Sequence, residues 1–153
     1  MGYLILIAAI AGLDQIVKYL IVNGMALYET IRIWPFLNIT YVQNTGAAFS
    51  LLKNSTLFLG IMTMILLLLM AVFWRKPYVK RYHLPLALLC GGAVGNFIDR
   101  IFRGYVVDYI QVTSWFPVFN IADMMVVAGV ALMALLIIKS ETREDGKNEK
   151  RIS

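Results

Sequence analysis

Four aspartates hold most of the chemistry available to this chain: Asp14, Asp99, Asp108 and Asp123. They are four of the five acidic residues outside residues 140–153, and each lies in or beside a long apolar run. A carboxylate at the centre of a membrane helix costs about 2.5–3.5 kcal/mol on insertion scales, so each needs a reason to be there. Asp108 and Asp123 are the pair suited to acid/base work. Two carboxylates sharing a partly desolvated site cannot readily both ionise, and together they keep one proton over a broad pH range. Such a pair offers a base to activate water and an acid to protonate a carbonyl oxygen, and its titration belongs to the pair. Their spacing does not by itself bring them into contact, so an aspartyl dyad is one reading among several.

The other polar residues divide by local spacing. Asp14 and Lys18 stand i, i+4, where helical side chains meet, and a self-neutralising pair is one reading of them. Asn96, Asp99 and Arg100 share a helical face, and Arg100 beside Asp99 suits an ion-paired anchor better than a proton donor. Gly91 and Gly95 form a GxxxG, a weak signal for close helix packing. The chain has one cysteine, Cys90, and one histidine, His83. A Cys/His zinc site and an internal disulfide are thereby excluded. His83 is read as part of a solvated basic loop with Arg75, Lys76, Lys80 and Arg81, not as a catalytic base.

The elements that must position these groups are membrane helices. Hydrophobic residues make up 60% of the chain and charged residues 15%, against about a quarter charged in soluble domains. Four runs approach the 20 residues a bilayer crossing takes: 2–22, 56–74, 84–102 and 121–139. The first lacks a basic leader and a clear cleavage site, so it reads as a retained helix. Lys and Arg crowd the link between the second and third runs and the tail after the fourth, which predicts cytoplasmic termini and two outward loops, about 23–55 and 103–120. The net charge of +5 then reflects topology, and no nucleic-acid partner is expected. The fold class expected is an all-α membrane protein of four transmembrane helices, with a small extracytoplasmic β-rich loop between the first two. Thr30–Trp34 and residues 36–42 carry the strand signal there, split by Pro35. Residues 1–139 form the transmembrane domain, and the polar tail 140–153 is expected to be disordered. On this topology all four aspartates, with Asn96 and Asn120, fall at the outer level of the membrane.

Other chemistries compete for the same residues. Intramembrane carboxylates serve proton or cation transport, yet these gather at one surface with no path to the other. Asn96-Phe97-Ile98-Asp99 with Arg100 could bind Mg²⁺ and a lipid diphosphate, but no second acidic motif accompanies it. A Ser-Lys peptidase built from Ser50 or Ser55 with Lys53 lacks anything to desolvate the lysine. Two sequons, at Asn38 and Asn54, read as chance.

Five blocks in register resolve the competition. Asp14-Gln15-Ile16-Val17-Lys18, Asn44-Thr45-Gly46-Ala47-Ala48-Phe49, Gly95-Asn96-Phe97-Ile98-Asp99-Arg100, Val106-Val107-Asp108-Tyr109 and Phe119-Asn120-Ile121-Ala122-Asp123 resemble the lipoprotein signal peptidases, or signal peptidase II. The resemblance implies a bacterial inner-membrane aspartyl endopeptidase that cuts prolipoproteins just before a diacylglyceryl-modified cysteine. It implies a catalytic dyad at Asp108 and Asp123. Asn44, Gly46, Asn96, Arg100 and Asn120 match positions that line or brace the site, while Asp14, Lys18 and Asp99 match structural ones. No metal or organic cofactor is implied, and the expected partners are the prolipoprotein substrate and membrane lipid, with the enzyme a monomer. Tyr109 stands where the family commonly has Phe, a change expected to leave the chemistry alone.

Overall fold

The computed structural model describes residues 1–46 and 55–152, with side chains as far as residue 140. The expectations for Ala47, Ala48, Phe49, Ser50, Lys53 and Asn54 lie outside the described residues. In chain order the elements are helix α1 (Gly2–Gly24), strands β1 (Thr30–Trp34) and β2 (Leu37–Asn44), and helix α2 (Thr56–Phe73). A 3₁₀ turn (Pro77–Tyr82) then leads into α3 (His83–Phe102), strand β3 (Val106–Gln111) and α4 (Ile121–Ile152). Four helical stretches are long and apolar enough to cross a membrane. At 1.5 Å per residue the 23 residues of α1 reach about 35 Å, against a hydrocarbon core of about 30 Å.

Burial is inverted relative to a water-soluble domain. Leu4, Ile5, Leu66, Leu68, Val127 and Leu135 are exposed, whereas Asp14, Lys18, Asp99 and Asn120 are fully buried. In α2 the sole buried residue is Gly60. Apolar side chains face outward because the surrounding phase is itself apolar, and polar ones turn inward to satisfy each other. The polar cluster is therefore the centre of the bundle.

Helix α3 is the hub, and its glycines let neighbours approach. A Cβ at Gly91 would meet the Ile10 side chain of α1 at 2.8 Å, and one at Gly95 would meet the Asp14 carboxylate at 2.6 Å. At Gly92 it would lie 2.3 Å from the Ala122 carbonyl oxygen on α4, a backbone atom that cannot swing aside. The weak GxxxG signal is thus a real contact with α1, and Gly92 supplies the second face. Gly92→Ala should lower stability by about 1–3 kcal/mol through overpacking and push α4 away from α3. Thermal unfolding in detergent would check this, and an unchanged melting temperature would refute it.

The sheet is larger than the sequence suggests. The β-rich segment between α1 and α2 supplies two antiparallel strands, and β3, from the connection after α3, adds a third in the order β1-β2-β3. A two-stranded hairpin alone is marginal, and β3 gives β2 a second partner. Val42 pairs with Asp108 and Asn44 with Val106, so β2 delivers Asn44 beside Asp108. Gly104, at φ +76°, makes the left-handed turn that stops α3 and releases the chain into β3. Tyr41, Val107 and Tyr109 form the sheet's apolar core, packed on Val17, Ile21 and Val22 of α1.

One further expectation is corrected. His83 is not in a solvated loop: its ring stacks on Trp74 at 4.6 Å, with Tyr3 edge-on, and its Nε2–H donates to the Trp74 carbonyl at 2.9 Å. It closes the turn between α2 and α3. After residue 139 the chain continues α4 as helix to Ile152. A helix already nucleated adds residues at little cost, and the Glu, Lys and Arg of this segment are good helix formers.

Candidate active site

The first turn of α4 starts the site. A helix N-terminus leaves backbone N–H groups without partners, and here three separate stretches of chain supply them. The Ile121 N–H donates to the Tyr109 hydroxyl at 3.3 Å, the Ala122 N–H to the Asp14 carboxylate at 3.0 Å, and the Asp123 N–H to Asn120 Oδ1 at 2.9 Å. Asp123 Oδ2 in turn accepts the Asn120 N–H at 3.2 Å. Asn120 and Asp123 therefore form a reciprocal capping box, which holds the Asp123 carboxylate at the helix end.

Asp108 arrives opposite on β3. Its Oδ1 accepts from Asn120 Nδ2 at 2.7 Å and its Oδ2 from Asn44 Nδ2 at 2.9 Å. The Asn44 amide cannot turn freely, because its Oδ1 accepts the Gly46 N–H at 3.0 Å. Asp123 Oδ1 accepts from Asn96 Nδ2 at 2.7 Å. Asn120 thus contacts both aspartates, one through its side-chain amide and the other through the capping box. Desolvation first, then the negative charge of Asp123, pushes the Asp108 carboxyl up to about 7, against the opposing pull of the Asn44 and Asn120 hydrogen bonds and of Lys18. An Asp108 that is half protonated near neutrality beside a second carboxylate is the arrangement general acid/base chemistry needs.

Behind the pair lies a second cluster. Lys18 Nζ contacts Asp14 at 2.8 Å and Asp99 at 2.9 Å, and donates to Asn96 Oδ1 at 2.9 Å. Asp99 also accepts the Val107 N–H at 3.0 Å and the Arg103 guanidinium. These carboxylates join elements: Asp14 ties α1 to α4, and Asp99 ties α3 to β3. The pairing of Asp99 with Arg100 expected from sequence is corrected here, because consecutive helical residues point about 100° apart. Arg103, one turn on, takes that role. Arg100 lies within electrostatic reach of Asp123 first, then Asp108 and Asp99, with its Nε buried and without a partner among the described residues.

The sequence-predicted residues Asp14, Lys18, Asn44, Gly46, Asn96, Asp99, Asp108, Asn120 and Asp123 are joined in one network, with Arg100 at its edge. Sequence reasoning missed Gln15, Arg103 and the Tyr109 hydroxyl. Gln15 Nε2 donates to Asp99 at 3.2 Å and to the Gly95 carbonyl at 3.0 Å, while its Oε1 accepts from Arg103 at 3.0 Å. The i, i+4 spacing of Asp99 and Arg103 was an available signal, as was the Asn-x-x-Asp spacing of the capping box. For the Tyr109 hydroxyl there was none, since nothing local says that β3 meets the start of α4.

Beside Arg100, an apolar cavity of about 190 Å³ opens between α2 and α3, lined by Gly60, Ile61, Met64, Ile65, Phe97 and Ile101. Gly60 is close to this arginine, at 3.8 Å between a built Cβ and the Arg100 Cβ.

A family model described as signal peptidase (SPase) II matches residues 6–139. A lipoprotein signal peptidase of Enterococcus faecalis is 40% identical over 151 residues, covering 95% of this chain and 94% of that protein. One from Staphylococcus aureus is 38% identical over 156 residues, covering 97% and 96%. A solved bacterial membrane enzyme superposes with a TM-score of 0.87 at 34% identity, covering 93% of this chain and 90% of its own. With a family model spanning most of its length and relatives at this identity along nearly all of it, the chain belongs to the signal peptidase II family.

Proposed function

We propose that Asp108 and Asp123 are the acid/base pair with which this member of the signal peptidase II family removes signal peptides from prolipoproteins. The observation that carries the reading is the shared Asn120, which holds a buried carboxylate, Asp108, and a half-buried one, Asp123, at one locus. The ionised partner takes a proton from water, and the protonated one donates to the scissile carbonyl oxygen as the tetrahedral centre forms. Arg100, half-buried and within electrostatic reach of Asp123 and Asp108, is the cation placed to meet substrate backbone at the dyad. The cavity between α2 and α3 suits an acyl chain of a diacylglyceryl-modified cysteine, which would hold the peptide bond before that cysteine at the dyad. Cytoplasmic termini and an outward site follow from the Lys and Arg distribution. No metal or cofactor enters this reading, and a monomer suffices for it.

The test is incubation of purified protein with a diacylglyceryl-modified prolipoprotein and with its unlipidated counterpart, each with and without chelator. Cleavage of the lipidated substrate alone, unaffected by chelator, is expected. Equal cleavage of both would remove the lipid from the reading, and loss of activity with chelator would remove the aspartyl mechanism.

The raised Asp108 carboxyl sets a pH dependence. Its proton is present below about 7 and leaves above it, so kcat/KM should decline on the alkaline side from about that pH. Stability has its own sign. The folded protein holds this proton more tightly than the unfolded chain, whose carboxyl titrates near 3.9. The stabilising contribution is complete below that value and is lost as pH rises through about 7. Melting temperature measured against pH for wild type and Asp108→Asn should show this component vanish in the variant. Parallel curves would contradict it.

The edge strand β1 is exposed along its whole length, with Trp34 and Phe36 open to the surroundings. In this reading they clamp the substrate or rest in the headgroup layer, where aromatic rings are favoured. Trp34→Ala with Phe36→Ala should raise KM several-fold and leave kcat unchanged. An unaltered KM would reject the clamp.

A further inference from the structure

We infer that Lys18 is a positioning residue for the dyad, acting through the Asn96 amide, in addition to neutralising Asp14 and Asp99; this rests on the dyad reading above. The argument begins with what each group can do. An ammonium donates and never accepts, so the Asn96 atom 2.9 Å from Lys18 Nζ has to be Oδ1. With Oδ1 held there, Nδ2 is turned toward Asp123, to which it donates at 2.7 Å. An amide turned the other way would put an NH₂ against the ammonium and a carbonyl oxygen against a carboxylate, both repulsive contacts. The Asn120 Nδ2 at 3.1 Å from Asn96 Oδ1 favours the same direction, but that nitrogen also faces Asp108 at 2.7 Å and the Val107 carbonyl at 3.3 Å, more acceptors than its two hydrogens can serve well.

Lys18 is itself fixed. It is fully buried, and Asp14 and Asp99 grip it from α1 and α3. Neither aspartate is hydrogen-bonded to Asp108 or Asp123 in the described network. The side-chain route from the ion cluster to the dyad runs from Lys18 through Asn96 to Asp123, whereas Asp14 and Asp99 reach the backbone N–H groups of Ala122 and Val107 beside it. A purely structural lysine would need only its two carboxylates; the third contact is the one that reaches the dyad.

A double-mutant cycle tests this, because two residues acting through one contact give non-additive losses. The cycle is made in an Asp14→Asn background, where Asp99 keeps Arg103 and removing Lys18 strands no other carboxylate. Lys18→Met and Asn96→Leu should each lower kcat about tenfold to a hundredfold with KM held within about twofold, and the double variant should be no slower than Asn96→Leu alone. Lys18→Gln, which keeps an N–H donor without the charge, should restore most of kcat relative to Lys18→Met in the same background. Additive losses, or a Lys18→Gln as slow as Lys18→Met, would overturn the inference. Should Lys18→Met not fold even there, Lys18→Gln in otherwise wild-type protein decides: retained kcat supports positioning, and lost kcat in a folded variant refutes it. The dyad reading fails separately, if Asp108→Asn or Asp123→Asn keeps its turnover.

Discussion

Asp108→Asn and Asp123→Asn should each reduce prolipoprotein cleavage by about a thousandfold or more while the protein still folds. The effect is large because either change removes one half of a proton-transfer pair, a contribution of about 10²–10⁴ for general acid/base catalysis. The hydrogen-bond pattern sharpens the expectation. Both oxygens of Asp108 accept from asparagine amides, and both oxygens of Asp123 accept N–H groups from Asn96 and Asn120. An asparagine at either position sets an NH₂ against a donor, at a cost of about 1–3 kcal/mol for the group left unsatisfied. Modest loss of stability and near-complete loss of turnover is therefore the predicted signature. Turnover of lipidated substrate alongside melting temperature measures both, and a folded variant with near-wild-type turnover would end the dyad assignment.

Lys18→Met should be the most damaging single change to stability, by about 3–5 kcal/mol, because it strands charge in a buried site. Lys18, Asp14 and Asp99 are all fully buried, and Lys18 is the cation in contact with both carboxylates. Asp99 keeps Arg103 after the change, while Asp14 keeps only neutral donors such as the Ala122 N–H. Asp14→Asn should cost less, since an amide oxygen can still accept that N–H and Lys18 retains Asp99. Adding Asp14→Asn to Lys18→Met should recover part of the loss. Thermal unfolding of the single and double variants in detergent checks the order. A Lys18→Met that melts with the wild type would mean the cluster is not the bundle's polar centre.

Much of this was legible along the chain. The four apolar runs followed from length and composition, and α1 and α2 match the expected spans closely, because membrane helices satisfy their backbone locally and announce themselves by hydropathy. The i, i+4 pairing of Asp14 and Lys18 was likewise local and is present at 2.8 Å. Less legible was whatever depended on which elements meet. Arg100 stood next to Asp99 in sequence, yet helical rotation gave the ion pair to Arg103. The third strand lay hidden in a connection, because its partner, β2, is more than sixty residues away, as the Asn44–Asp108 bond shows.

What the sequence determined by itself was the membrane class and the inventory of polar residues that the helices must accommodate. Residue type and local spacing suffice for that, since the cost of burying charge restricts where such residues can stand. Only the tertiary structure decided how the aspartates are joined. Glycines at 91, 92 and 95 let α1 and α4 close on α3, the sheet carries Asn44 and Asp108 to the same end, and Asn120 links the two carboxylates. Those contacts span long sequence separations, and in an apolar phase each buried polar group must find its partner within the protein, so packing alone fixes which partner it finds.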